Sequence, residues 1–429
     1  MTDNFQPRPE PLVARDGGLV SPQIFVDRDI YQRERTAIFA RCWLYLGHES
    51  QLAQPGDFFT TYMGEEPVLV TKAADGSIHA HLNSCRHRGM RICQADEGNT
   101  STFTCPYHGW TYGNDGTLRG VPLERELYRN ELARERWSLI PVAQLDTYKG
   151  LIFATFDPSA PSLLDYLGTM AWYLDTILDR RAGGIEVVGG VHKWRIAANW
   201  KIVEDNNSGD EYHVAYSHGS YLRALGAPAG EFLRALIHVC PEEGHGFSAR
   251  FELPDGASEP YLAIESPALR VAAVRQYFRA VRAEAEQRLG RIRSRVAMFA
   301  GTVFPNFSFV PLLSTIRVVH PRGPDHVEVW SWCIVDRDAP PEVKDAIRRA
   351  YNQTMGPSGL IEQDDSHNWE FCTASSHSAV RQQHPYNYQM GLGDERWHEG
   401  LRSMITDRLS EATQRSFYRR WAKLMGESV

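Results

Sequence analysis

Two short half-sites constrain this chain more than any other feature: Cys85-Arg86-His87 and Cys105-Pro106-Tyr107-His108, with seventeen residues between them. As spacing they read C-x-H and C-x-x-H. Two thiolates and two imidazoles are the donor set of a [2Fe–2S] centre in which cysteines hold one iron and histidines the other. Neutral imidazoles in place of two anionic thiolates let the cluster hold an added electron more readily, which predicts a relay and therefore an acceptor elsewhere in the chain. The competing reading is structural zinc, since Cys2His2 also suits tetrahedral Zn2+. Zinc fingers, however, pair C-x2–4-C with H-x3–5-H, whereas each half-site here mixes one Cys with one His. Gly89 and Gly109 follow the two halves, and glycine beside a cofactor permits close backbone approach and amides aimed at cluster sulfurs.

A second constellation lies downstream, in Asn199-Trp200 through Ser217-His218-Gly219. Asn206, Asp210 and His213 are spaced i, i+4, i+7, which predicts one helical face. His218 falls five residues after His213, about 140° further round an ideal helix. Both imidazoles reach one metal only if the helix widens, bends or ends between them, and Gly219 is a candidate terminator. Ile361-Glu362-Gln363-Asp364-Asp365 supplies carboxylates. Two histidines and one carboxylate on one face of an iron leave the opposite face open, as in the facial triad of Fe(II) oxygenases. Histidines at this spacing are often ordinary surface or core residues; the upstream relay is what favours the metal.

The chain resembles the large (α) subunits of Rieske ring-hydroxylating oxygenases over nearly its whole length. C-x-H-R-G followed by C-x-Y-H-G-W carries the likeness, joined by D-x2-H-x4-H. The resemblance implies [2Fe–2S] ligation by Cys85, His87, Cys105 and His108, and mononuclear Fe(II) ligation by His213, His218 and Asp365, with Asp364 the fallback carboxylate. It gives Asp210 the part of a conductor between a cluster histidine of one subunit and an iron-ligand histidine of the next. Asn206 matches a residue near the iron that is not a firm ligand. Asn207 departs from the pattern, since relatives carry a bulky apolar residue there, and an amide speaks against a bare hydrocarbon substrate. Val214, Met355 and Ile361 match pocket positions, with core packing the alternative, and Gly356-Pro357-Ser358-Gly359 matches a pocket wall. The implied reaction is dihydroxylation of an aromatic ring by O2 to a cis-dihydrodiol, on a substituted aromatic such as an aromatic acid or polycyclic hydrocarbon. A monooxygenase or demethylase with the same metals is the rival. An electron carrier or zinc-stabilised binding protein would need only the first pair of half-sites. The implied partners are a reductase supplying NAD(P)H electrons, a ferredoxin, and a small β subunit, in a homotrimer or α3β3 assembly.

Length and composition are compatible with that reading. At 429 residues two domains are expected. With 42% hydrophobic and 23% charged residues and a net charge of −7, nothing marks a nucleic-acid footprint. No apolar run approaches the roughly twenty residues of a membrane span. The polar start, Met1–Glu10, does not read as a secretory signal. Seven cysteines in so long a chain argue against a disulfide framework; Cys42, Cys93, Cys240, Cys333 and Cys372 read as reduced side chains in a cytoplasmic protein. No G-x-G-x-x-G follows a strand and no P-loop is present, so no nucleotide site is expected.

Hydrophobic patterning predicts an α+β protein: a small all-β cluster domain over 40–158, inserted in a catalytic domain of 1–39 and 159–429 whose antiparallel sheet is flanked by helices. A short helix capped by Asp27 or Asp29 should precede the small domain. Pro67–Thr71 and Ser77–Leu82 read as a hairpin about Gly76. Phe103-Thr104 with Thr111-Tyr112 reads as the strand pair carrying the second half-site, and Gly150–Phe156 as a buried strand. Helices are expected over Leu163–Arg181, Tyr261–Arg291, Pro341–Met355 and Leu401–Met425, a strand over His326–Val335, and loops over Pro254–Pro260 and Ser375–His384.

Overall fold

The structure, a computed structural model, describes residues 11–225, 236–251, 260 and 266–427. These fall into two compact units, Phe39–Leu163 and the remainder, Met1–Ile38 with Leu164–Val429.

The smaller unit is built from short antiparallel ribbons. Glu66–Lys72 pairs with Ile78–Leu82 in the register Val68–Leu82, closed by a turn in which Gly76 has φ +87°. Asp57–Met63 and Glu97–Asn99 complete a four-stranded sheet. Thr102–Thr104, Thr111–Gly113 and Leu118–Gly120 form a second ribbon, and Leu44–His48 joins Gln144–Tyr148 and Leu151–Thr155 in a third. Leu151–Thr155 is buried throughout, as a continuous apolar run requires. The unit is not purely β. Glu124–Tyr128 is a helical turn flanked by left-handed Leu123 and Arg129, and Arg134–Trp137 is a 3-10 turn. Phe58, Leu69, Ile92, Phe103, Trp110, Tyr112, Leu118 and Leu139 make the core, with Cys85 and Cys105 among them.

The larger unit rests on a nine-stranded antiparallel sheet. In spatial order its strands are Ile185–Ile196, Val327–Asp336, Thr315–Pro321, Phe307–Val310, Ala297–Val303, Gly246–Arg250, Ile237–Cys240, Ser403–Ile405 and Arg396–His398. The helix Trp200–Asn207 packs on Ala297–Val303 and Thr315–Pro321, and Ala412–Leu424 packs on Ile237–Cys240 and Gly246–Arg250. This seats the segment leading to His213 directly over the sheet. Among the described residues no helix is long and apolar enough to cross a membrane.

Several expected elements differ. Gly168, at φ +50°, splits the first long helix into Leu163–Leu167 and Thr169–Leu178. The helix expected from Tyr261 begins at Ala272, after a 3-10 turn opened by Pro267, and is broken at Gly290 (φ +74°) before its end at Arg293; residues 261–265, like the expected loop 254–259, lie outside the described residues. The last helix starts at Ala412, because Ser403–Ile405 is drawn into the sheet instead. Ser375 is no loop: an unanticipated helix covers Leu360–Ser376. At the N-terminus Asp27 is the cap, its Oδ1 accepting from the amides of Asp29 and Ile30 at 2.8 and 3.0 Å.

That capped helix, Arg28–Glu34, is anchored by one carboxylate. Glu34 accepts from Lys201 Nζ at 2.6 Å, Trp200 Nε1 at 2.8 Å and Trp421 Nε1 at 2.7 Å. Both charged groups are wholly buried. Burial pulls the Lys201 amine below its usual range, and the Glu34 charge opposes that pull. Removing one member of a buried pair leaves the other uncompensated, at about 3–5 kcal/mol. Glu34→Ala should therefore lower the thermal midpoint by many degrees, whereas the exposed Glu126→Ala should not. Equal midpoints for the two variants would show that Glu34 carries no structural weight.

Candidate metal centres

The two half-sites fold into loops with one hydrogen-bond pattern. The Cys85 amide donates to the Met90 carbonyl at 2.8 Å and the Gly89 amide to the Cys85 carbonyl at 2.8 Å. The Cys105 amide donates to the Trp110 carbonyl at 2.8 Å and the Gly109 amide to the Cys105 carbonyl at 3.0 Å. Gly89 and Gly109 sit at φ +75° and +72°, a left-handed turn that favours glycine. A Cβ on Gly109 would also meet Pro122 Cγ at 2.8 Å.

These loops set sulfur beside sulfur and ring beside ring. Cys85 is a hydrogen-bonding neighbour of Cys105, and the rings of His87 and His108 lie 4.5 Å apart at 73°. His87 stacks on Trp110 at 5.2 Å, and its buried Nδ1 has no hydrogen-bond partner among the described residues. An orphaned buried nitrogen beside two buried thiols fits a cluster held by cysteines at one end and histidines at the other. Tyr112 supports the sulfur end: its hydroxyl lies 3.5 Å from Cys85 Sγ and accepts from the Arg86 amide at 3.2 Å. Burial, and the nearby Cys85, push the Tyr112 hydroxyl above its ordinary range, so it keeps its proton. Cys93, by contrast, donates toward the Ala95 carbonyl at 3.6 Å.

The second centre forms where a helix breaks. Trp200–Asn207 ends at Ser208, whose hydroxyl donates to the Asp205 carbonyl at 2.7 Å. Gly209 follows at φ +117°, with Ser248 N only 2.8 Å from where a Cβ would stand. His238 Nε2 donates to the Gly209 carbonyl at 2.7 Å and fixes the turn. The break therefore precedes His213, at Gly209, rather than following His218 at Gly219, which instead opens the helix Gly219–Leu225. His213 and His218 flank a single helical turn, Val214–Ser217. Asn206, Asp210 and His213 still converge: Asn206 Nδ2 is 3.3 Å from Asp210 Oδ2 and 3.2 Å from His213 Nδ1.

Asp365 arrives from the unanticipated helix Leu360–Ser376. Its Oδ1 lies 3.2 Å from His213 Nε2 and 3.0 Å from His218 Nε2, which are themselves 3.2 Å apart. Edges of about 3 Å are what neighbouring donors subtend when each is about 2.1 Å from one octahedral ion. Both Nδ1 atoms are engaged elsewhere, His213 with the Asp210 carbonyl and His218 with Asp364 Oδ2 at 3.3 Å. Both Nε2 atoms therefore turn toward Asp365 Oδ1, which no hydrogen-bond donor satisfies among the described residues. Such a triangle calls for a cation at its centre. Burial disfavours the imidazolium of His213, yet Asp210 and Asp365 outweigh it and hold that ring well above its usual range. Burial likewise opposes ionisation of Asp365, and the two histidines overcome it and keep the carboxyl low. The residues present fit an iron held by two imidazoles and one carboxylate.

The other expected residues are placed as follows. Asn207 is buried and spends its amide on the Val203 carbonyl at 2.9 Å. Val214 follows His213 in the chain and is partly exposed. Met355 and Ile361 pack with Val343, Ile347 and Tyr351 in one apolar cluster. Four buried carboxylates near the site receive no role from the sequence, Glu362 being named there only as part of a carboxylate run. Glu362 is paired with Arg317 at 3.0 Å and burial lifts it to about 7. Burial also lifts Glu204 to about 8 and Asp205 to about 7, the latter against hydrogen bonds from Tyr418 and Tyr388. Glu211 accepts from Ser248 Oγ at 2.6 Å. The signal that points to Glu362 is its place one turn before Asp365 on the same helix.

A Cys2His2 cluster site and a two-histidine, one-carboxylate triad in one polypeptide define a Rieske non-heme iron oxygenase. The Rieske [2Fe-2S] domain profile matches residues 42–145, and the catalytic domain of the ring-hydroxylating alpha subunit matches 165–427. The chain belongs to this family of ring-hydroxylating α subunits. It is 40% identical to the chlorobenzene dioxygenase α subunit of Cupriavidus sp., over 96% of this chain and 92% of that protein. It is 39% identical to the biphenyl 2,3-dioxygenase α subunit of Rhodococcus jostii, over 96% and 90%. Among solved structures it resembles naphthalene 1,2-dioxygenase with indole bound, at a TM-score of 0.88 and 32% identity over 96% of this chain and 93% of that one.

Proposed function

We propose that this chain is the catalytic subunit of an aromatic dioxygenase that converts a substituted ring to a cis-dihydrodiol. The observation that carries the reading is the triangle of His213 Nε2, His218 Nε2 and Asp365 Oδ1, closed within 3.2 Å. In this reading residues 40–158 form the cluster domain, with Cys85, His87, Cys105 and His108 as ligands. His213, His218 and Asp365 hold Fe(II). When bound, the cluster relays single electrons and the ferrous ion activates O2 at its open face.

The chain's own residues prepare both sites. Tyr112 donates to the sulfur end of the cluster site. The Asp210 carbonyl fixes the tautomer of His213 so that Nε2 faces the metal. The Asp210 carboxylate stays ionised: burial raises it, but the His213 contact outweighs burial. With a third of that side chain exposed, it retains an oxygen for a donor from a neighbouring subunit, which suits the conductor role. Asn206 Nδ2 donates to the Asp210 carboxylate at 3.3 Å and holds it beside His213.

The named relatives act on benzene, chlorobenzene, biphenyl and naphthalene, so the substrate belongs among substituted or fused aromatics, aromatic acids included. Asn206, Asn207, Val214, Met355 and Ile361 are the proposed pocket residues. A reductase using NAD(P)H, a ferredoxin and a small β subunit are the proposed partners, in a cytoplasmic trimer or α3β3 assembly. Turnover under labelled O2 tests the reaction. Both atoms of one O2 should appear in the diol; a product holding a single labelled atom would make the enzyme a monooxygenase.

A further inference from the structure

The helix Leu360–Ser376 meets the metal segment through a row of polar side chains, one of which lies behind a ligand rather than in front of the metal. Asp365 points its Oδ1 into the triangle of donors. Its neighbour Asp364 points Oδ2 at His218 Nδ1, 3.3 Å away. One turn further along, Asn368 Nδ2 donates to Ser217 Oγ at 2.8 Å, gripping the residue before His218. His218 is nearly buried, its side chain 4% exposed, while Asp364 keeps a wet outer edge at 39%.

We propose that Asp364 is a positioning residue for the mononuclear centre: it takes the Nδ1 proton of His218 in a hydrogen bond and thereby commits the Nε2 lone pair to the metal. The inference rests on His213, His218 and Asp365 as the ligand set. A carboxylate behind a ligating imidazole fixes its tautomer, holds its ring angle and raises its basicity. The two histidines are then held unequally. His213 leans on Asp210 of its own segment, by the backbone carbonyl and by a carboxylate oxygen 3.4 Å from the same nitrogen, whereas His218 leans on a carboxylate that travels with the helix bearing Asp365. One helix thus delivers a ligand and the brace for another, and Asn368 keeps the two in step.

The effect is read on metal binding in the full chain with its cluster in place. Protein stripped of mononuclear iron is titrated with ferrous ion against a chromogenic chelator. Asp364→Asn should bind Fe(II) about 10- to 100-fold more weakly, and Asp364→Glu should recover part of that loss. Glu370→Gln, an exposed carboxylate on the same helix, should bind as the unaltered protein does. The EPR spectrum of the ferrous nitrosyl complex should change symmetry in Asp364→Asn while the melting temperature holds. Unchanged affinity and spectrum in Asp364→Asn would overturn the proposal. So would an affinity loss shared by Glu370→Gln and matched by a falling melting temperature, which is plain helix destabilisation. Asp365→Ala separates this from the underlying assignment: it should lose Fe(II) entirely, and retention there would mean that the ligand set itself is wrong.

Discussion

His213→Ala removes ring hydroxylation and leaves the visible spectrum of the cluster untouched. The two donor sets share no residue, and the cluster loops are closed by their own hydrogen bonds, so loss of the imidazole reaches only the mononuclear site. The remaining His218 Nε2 and Asp365 Oδ1, 3.0 Å apart, make a two-donor site open to water. Turnover should fall below detection, and bound mononuclear iron should fall with it. The companion variant Asp210→Ala keeps the backbone carbonyl that orients His213, so it should retain both metals and lose steady-state turnover alone. Near-normal turnover in Asp210→Ala would remove the conductor role. Loss of the cluster spectrum in His213→Ala would contradict the division into two centres.

Cys85→Ser bleaches the protein, and Cys93→Ser leaves it coloured. Both thiols are buried in the same core, so bulk and polarity change alike in the two variants. What differs is the company each sulfur keeps. Cys85 lies beside Cys105 and receives the Tyr112 hydroxyl, whereas burial pushes the Cys93 thiol up and its contact is a backbone carbonyl. Iron and acid-labile sulfide, measured per chain, check the prediction. Equal loss in both variants would mean that the core, and not ligation, is being read.

The smaller unit was largely legible because its signals are local. Gly76 between two alternating runs marks a hairpin, and a glycine after each Cys–His pair marks a loop whose backbone can come close to a cofactor; both readings need only a few adjacent residues. The metal triad was half legible. His213 and His218 stand out by type and spacing, but the backbone between Asn207 and His213 is set by the Ser248 backbone and the His238 side chain, which meet Gly209 from distant strands. No window of the segment itself contains that information. The helix Leu360–Ser376 escaped for a different reason. Its buried face is Glu362, Asp365, Trp369, Thr373 and Ser376, a helical period written mainly in polar residues. A search for apolar spacing passes over a face that looks onto two histidines and a buried arginine. The resemblance to ring-hydroxylating α subunits singled out Asp365 where periodicity had nothing to offer, and the helix sets Asp365 against both histidines and Asp364 against His218 Nδ1.

The contact of Glu34 with Lys201, Trp200 and Trp421 sets how this polypeptide can be divided. A cut at residue 164, where the second unit resumes, discards the counter-ion of a fully enclosed ammonium. It also unseats two indoles next to the segment that leads to the iron ligands. Anyone excising the cluster portion, or rejoining the chain in another order, must carry Arg28–Glu34 along with the later part, because the early helix belongs physically to the oxygen-handling half.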